Sequence, residues 1–339
     1  MQYYINSNKM FFIFILFFST MISISSNSWL GCWIGLEINL LSFISIISKS
    51  NNLLLSEMCL KYFLIQSIAS INFLFMIMLN MTMMKMFELN NFLSIMINSS
   101  LLMKMGSAPF HFWFPHISEG LSWMNCFILM TWQKITPMIL LSYYYNLKFL
   151  FIVMILSLMI GSIGGLNQNS LRKLLTFSSI NHLSWMIMSI LISENLWMFY
   201  FMNYSFLIFL MSMLFYMLNS FFLNQLFFNN FKNMIKFNIF LNILSLGGLP
   251  PFLGFLPKWI IIDFLINNKF YFMSFLFIMF SLITLMYYVR ITYSSFMFNY
   301  LKIKFFKMII KNKLMIMLQT LSTISIMGLI LSTLLFYLI

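Results

Sequence analysis

Charge is what this sequence has least of. Of its 339 residues only 7% are Asp, Glu, Lys or Arg, while 62% are hydrophobic, and the mean hydropathy is +0.95. A soluble domain carries about a quarter of its residues as charges, so a water-facing shell is excluded, and a soluble catalytic domain with it. Cysteine is equally scarce. Cys32, Cys59 and Cys126 stand alone, with no CxxC pair and no histidine spacing of the kind that ligates zinc or iron–sulfur clusters, and they read as small core residues. No GxGxxG follows a strand, which excludes a dinucleotide site. Acidic residues number six and form no metal-binding motif. The nearest approach, His111, His116 and Glu119, is spread across prolines and predicts no metal.

Alanine occurs only at Ala69 and Ala108, valine only at Val153 and Val289, and arginine only at Arg172 and Arg290. These residues have GC-rich codons, whereas the 34 methionines fit an AT-rich animal mitochondrial genome whose code reads an additional codon as Met. An organelle-encoded chain is expected. Many Met and Phe positions are then codon drift among lipid-facing side chains rather than a ligand set.

What the chain does contain is long apolar runs. A membrane-crossing helix needs about 20 such residues, and runs punctuated by Asn, Lys, Pro and Gly predict eleven: 10–26, 28–48, 57–81, 91–114, 121–145, 148–167, 170–192, 195–218, 235–266, 270–299 and 313–337. The fold expected is all-α and polytopic, a single transmembrane domain over residues 1–339. The first run is followed at once by another span and reads as a retained helix rather than a signal peptide.

The net charge of +13 would suggest nucleic acid in a soluble protein. In a membrane chain it sets topology instead, and no nucleic-acid partner is expected. With eleven helices, Lys9, Lys49, Arg172, Lys173, Lys232, Lys236, Lys302, Lys304, Lys307, Lys311 and Lys313 fall on the N-terminal side, and only Lys85, Lys148 and Lys269 on the other. By the positive-inside rule the N-terminus faces the side where proteins are inserted from, the matrix in an organelle.

Two predicted helices carry residues that spoil the backbone ladder. KMGSAPFHFWFPH puts Gly106, Pro109 and Pro115 at the end of the fourth, and LGGLPPFLGFLPKW puts Gly247, Gly248, Pro250, Pro251, Gly254 and Pro257 inside the ninth. Each proline removes an N–H and clashes with the preceding turn. Unpaired backbone in lipid is costly unless it lines a cavity or is buried in protein, so broken helices point to an internal path as in secondary transporters; the alternative is a simple kink.

Six ionisable groups remain within or near the spans: Glu37, Lys61, Lys104, Lys134, Lys258 and Arg290. Each costs at least about 2.5 kcal/mol to insert. Burial disfavours a charged form and a neighbouring opposite charge restores it, so groups caught between these effects can take or give a proton near neutrality. A static buried ion pair is the alternative at any one site. One glutamate cannot neutralise three lysines, however, so Lys104, Lys134 and Lys258 are expected to be hydrated and to titrate. Lys61 and Arg290 lie toward helix ends, where a long stem can snorkel. His182, in TFSSINHLSW beside Ser178, Ser179 and Asn181, is placed as a proton relay or as a hydrogen-bonded packing residue. His111 and His116 flank the first break near the surface.

At this point a resemblance enters. GLEINLLSF, LKYFLIQS, KMGSAPFHFWFPHISEGL, LMTWQKITPM, SSINHLSWM and GGLPPFLGFLPKW together resemble the NADH-ubiquinone oxidoreductase chain 2 family, antiporter-like membrane subunits of respiratory complex I, in their shortened insect-like form. The resemblance covers nearly the whole chain. It implies that Glu37, Lys104, Lys134, Lys258 and His182 lie on a hydrated proton axis of a proton-pumping NADH:ubiquinone oxidoreductase in the mitochondrial inner membrane. It also implies that NADH, FMN, iron–sulfur clusters and ubiquinone are bound by other subunits and none by this chain, and that its partners are those subunits and the bilayer, cardiolipin included. Ser184 departs from the family pattern, which often has glycine there beside the histidine. A free-standing cation/proton antiporter would need a further intramembrane carboxylate, and a purely structural subunit would need no titrating lysines.

Overall fold

The computed structural model describes residues 7–48, 53–83, 87–228, 233–297 and 319–328. The predicted loop residues Lys49, Lys85, Lys232, Lys302, Lys304, Lys307, Lys311 and Lys313 lie outside them, as does most of the predicted helix 313–337, of which 319–328 are helical. The chain divides into two compact units between Val153 and Met154.

The first unit contains α1 (Ser7–Ser25), α2 (Trp29–Ile47), α3 (Leu53–Met83), α4 (Phe87–Met105), α5 (Trp113–Gly120), α6 (Trp123–Met130), α7 (Trp132–Tyr143) and the start of α8 (Leu147–Gly165). Ser28 caps α2 by accepting from the Gly31 N–H, which satisfies one of the donors a helix start leaves unpaired. Small residues let α1 and α2 lie close: a β-carbon on Gly35 would fall 2.7 Å from the Ser23 side chain, the small-residue packing common between membrane helices. Lys9 donates to the Ile46 carbonyl at 3.1 Å, so the start of α1 carries its charge to the negative end of α2.

The second unit contains the rest of α8, then α9 (Leu171–Ile192), α10 (Glu194–Leu218), α11 (Leu223–Phe228), α12 (Asn233–Gly247), α13 (Phe255–Asn267), α14 (Tyr271–Met297) and the 319–328 segment. The turn before α9 is tied to the turn after α10 through Leu171 N–H to Phe221 O at 2.9 Å and Leu223 N–H to Asn169 O at 3.0 Å. α9 is buried along most of its length, as a helix inside a bundle should be.

Among the described residues seven helices, α1, α2, α3, α8, α9, α10 and α14, are long and apolar enough to cross a membrane. The predicted spans 91–114, 121–145 and 235–266 each occur as two pieces instead. Two of these interruptions sit at the expected Gly/Pro segments. The third, at Thr131, was not expected: the backbone there leaves helical angles (φ −115, ψ −71) although its N–H still bonds the Phe127 carbonyl at 3.0 Å, and Pro137 inside α7 withholds a ladder N–H one turn further on. Lys236, counted with the loop charges of the N-terminal side although the predicted span 235–266 includes it, is buried in the first turn of α12.

Candidate functional site

The fourth-helix break supplies new partners to the carbonyls it frees. α4 stops where Gly106 takes φ +72, a conformation that β-carbon residues resist. Its last carbonyls then need donors. Leu102 O receives the Ser107 N–H and hydroxyl, both at 3.2 Å; Met103 O receives the Trp113 indole N–H at 3.2 Å; Lys104 O receives the Gln66 amide at 3.1 Å. Lys104 therefore sits in the last turn before the break rather than near the middle of a helix, as its sequence position suggested. Its side chain is 6% exposed.

Lys104 borders a cavity of about 10 Å³, room for about one water. Asn39, Tyr62, Gln66, Gln133 and Thr136 supply the polar wall. Three of them are joined: Tyr62 donates to Gln133 Oε1 at 3.3 Å, and Gln133 Nε2 donates to Asn39 Oδ1 at 3.0 Å. That chain links α3, α7 and α2. Glu37, half-buried on α2 two residues before Asn39, acts electrostatically on Lys104, and the two close no direct ion pair. Lys134 follows Gln133 in the first turn of α7, beside the Thr131 interruption. It is 1% exposed and lies 5.1 Å from the centre of the Phe114 ring, a cation–π distance.

In the second unit His182 is 6% exposed, with Nδ1 2.8 Å from the Tyr200 hydroxyl and its ring packed on Tyr204. Ser184 is fully buried and spends its hydroxyl on the Asn181 carbonyl at 2.6 Å, so the departure from glycine leaves no unpaired polar group. One turn along α9 from His182, Trp185 carries Lys258, whose Nζ is 5.8 Å from the ring centre. Lys258 is 4% exposed and donates to the Gly247 carbonyl, the last of α12, at 3.0 Å. Gly248 has φ +83, and a β-carbon there would fall 2.9 Å from Lys258 Nζ.

The other ionisable groups separate from these. Lys61 is exposed and paired with Glu57 one turn away, a surface pair of little energetic weight. Arg290 is exposed. His111 is buried, contrary to the surface position expected, with Nδ1 3.2 Å from Pro109 O, because the break folds this segment inward; His116 is exposed. Asp263, an acid inside the span 235–266 that sequence reading passed over, is exposed on α13. Sequence reading also missed Tyr62, Gln66, Gln133, Asn39 and Tyr200 as polar partners, although Asn39 and Gln133 stand within GLEINLLSF and LMTWQKITPM.

Chemically, a protonated lysine only donates and a neutral one also accepts, while imidazole does both through two nitrogens. Buried lysines beside amides, hydroxyls and a water-sized space can pass protons, and lack any means of passing electrons. Comparison with known proteins gives the family. The family described as NADH:quinone oxidoreductase/Mrp antiporter, TM matches residues 26–284. The NADH-ubiquinone oxidoreductase chain 2 of Locusta migratoria is 48% identical over 330 residues, covering 96% of each chain, and that of Anopheles gambiae is 53% identical over 305 residues, covering 87% of this chain and 88% of the relative. A chain of respiratory complex I from Thermus thermophilus shares the fold with TM-score 0.83 at 19% identity, over 96% of this chain and 78% of that one. A chain of the Mrp complex from Dietzia sp. does so with TM-score 0.72 at 13% identity, over 83% and 59%. With breaks, buried lysines and sequence in agreement, this chain belongs to the NADH-ubiquinone oxidoreductase chain 2 family.

Proposed function

We propose that this chain, acting as one antiporter-like membrane domain over residues 1–339, conducts protons within a proton-pumping NADH:ubiquinone oxidoreductase. Glu37, Lys104, Lys134, His182 and Lys258 hold and pass the protons. Electron transfer from NADH to ubiquinone, with FMN and iron–sulfur clusters, belongs to other subunits of the same complex, which are its protein partners. The membrane is the mitochondrial inner membrane, the N-terminus faces the matrix, and anionic lipid such as cardiolipin is part of its surroundings.

The observation that carries this reading is that the three lysines are at most 6% exposed and each stands beside a helix interruption. A lysine that merely tolerated the membrane would snorkel to an interface. Glu37 is the counter-charge to Lys104, and Lys258 is held by a carbonyl that gives it a place without neutralising it.

The test is Lys134→Met in the assembled complex, reconstituted in sealed vesicles. Methionine suits an apolar span, so assembly should persist while NADH-driven proton transport falls about tenfold or more, the low end of what a placed proton-transfer group contributes. Wild-type transport per NADH oxidised, with wild-type assembly, would remove Lys134 from the route. Labelling of Ser7 or Asn8 from the intermembrane side of intact membranes would overturn the orientation.

A further inference from the structure

The second unit has a larger cavity that the proton route does not use. It measures about 460 Å³ and is edged by Asn167, Gln168, Asn169, Asn224, Tyr287 and Arg290. Among the described residues no carboxylate lines it. Two backbone hydrogen bonds between 169–171 and 221–223 tie the α8–α9 turn to the α10–α11 turn along one side of it. These turns belong to the positively charged side, where Arg172 and Lys173 open α9.

Arg290 also closes a line on the surface of α14. Phe275, Met279, Leu282 and Met286 are all exposed, and with Arg290 they follow one another at intervals of four, three, four and four residues. That spacing puts them on one helix face. From Met279 to Arg290 the helix rises about 16 Å at 1.5 Å per residue, close to half of a hydrocarbon core of about 30 Å. An apolar track one leaflet deep therefore ends at a cation on the rim of a polar cavity.

We propose that this cavity and track form a binding site for an anionic phospholipid, its phosphate on Arg290 and one acyl chain along Met286, Leu282 and Met279. Guanidinium binds phosphate through paired N–H donors, and the surrounding carboxamides and Tyr287 provide donors for the remaining headgroup oxygens. Basic pockets at the matrix-side interface suit such headgroups. A free phosphate would use Arg290 but leave the apolar track bare, and a peptide would not call for a track of one leaflet's depth. The proposal rests on the chain spanning a bilayer and is independent of the proton route.

The purified complex can be placed in nanodiscs of phosphatidylcholine alone, of phosphatidylcholine with cardiolipin, or of phosphatidylcholine with added inorganic phosphate, and imaged at a resolution that resolves lipid. Headgroup density on Arg290 with a tail along α14 is expected in the cardiolipin discs only. Arg290→Gln should lower the cardiolipin retained there about tenfold, the loss of one charge-assisted contact, and Arg290→Lys should restore part of it. Equal occupancy by phosphatidylcholine, tailless phosphate density, or polypeptide in the cavity would each overturn the site. Should the variants fail to assemble, the wild-type complex still decides: a photoreactive anionic phospholipid should crosslink to α14 between Met279 and Arg290, and crosslinking confined to other segments would refute the proposal. Proton transport by wild-type complex in phosphatidylcholine alone tells a lost lipid site from a lost proton route.

Discussion

Lys258 donates to the carbonyl of Gly247, a residue eleven positions upstream, across the gap between α12 and α13. The bond does two jobs that sequence patterns show separately: it pairs an orphaned helix-end carbonyl and it fixes a buried ammonium group. Gly248 makes room for it, since any β-carbon would meet the lysine head.

Gly248→Ala should therefore act on Lys258. The positive φ costs an L-residue about 1–2 kcal/mol, which a large complex should survive, while the displaced ammonium loses its carbonyl. Proton transport per electron should fall more than the amount of assembled complex. Loss of assembly with normal coupling in the remainder would show that the glycine serves the backbone alone.

Glu37 and Lys104 interact through the field rather than through contact, so their losses should not add. A contacting pair at about 4 Å and effective dielectric 20 would be worth about 4 kcal/mol; without contact the coupling should be smaller, yet above the roughly 0.3–0.5 kcal/mol within which independent sites add. The double variant Glu37→Gln with Lys104→Met should lose less transport than the two single losses summed as free energies. Strict additivity per assembled complex would separate the two residues.

Gln133 has both ends of its amide occupied, by Tyr62 and by Asn39. Gln133→Leu leaves Asn39 Oδ1 and the Tyr62 hydroxyl to find other partners in a buried site, at about 1–3 kcal/mol for each group left unpaired. Thermal stability of the complex and transport should both drop, and Asn39→Leu on top of Gln133→Leu should add little. A full second loss would mean that the two amides act separately.

Tyr200→Phe removes the hydroxyl on His182 Nδ1 and keeps the ring. Transport should decline with assembly largely intact, whereas Lys61→Met, at an exposed pair, should change stability by no more than about 0.5 kcal/mol. Equal effects of the two substitutions would assign His182 to packing.

Much of this site was legible because membrane insertion makes charge expensive. Glu37, Lys104, Lys134 and Lys258 stood out against apolar neighbours, and Gly and Pro marked two of the breaks. The partners did not stand out. Gln133 and Asn39 are 94 residues apart, and Tyr62 and Gln133 are 71 apart, so only folding brings them together. Thr131 is helix-compatible by composition, and the one helix breaker nearby, Pro137, lies inside α7 rather than at the interruption. Lys236 shows the converse, a charge counted with the loops for its sign although it lies in a predicted span and is buried there.

The backbones on either side of the second break touch. A β-carbon on Gly254 would lie 1.9 Å from the Ser245 carbonyl oxygen, so the start of α13 is seated on the backbone of α12 and only glycine fits there. If that seat holds through the cycle, the motion that serves a proton at Lys258 falls to its own four-carbon stem. Side-chain reorientation of that kind belongs to the picosecond-to-nanosecond range, against microseconds or longer for helix displacement. Lys258 would behave as a fast contact on a stationary arm, and the slow step of the cycle would have to be sought elsewhere.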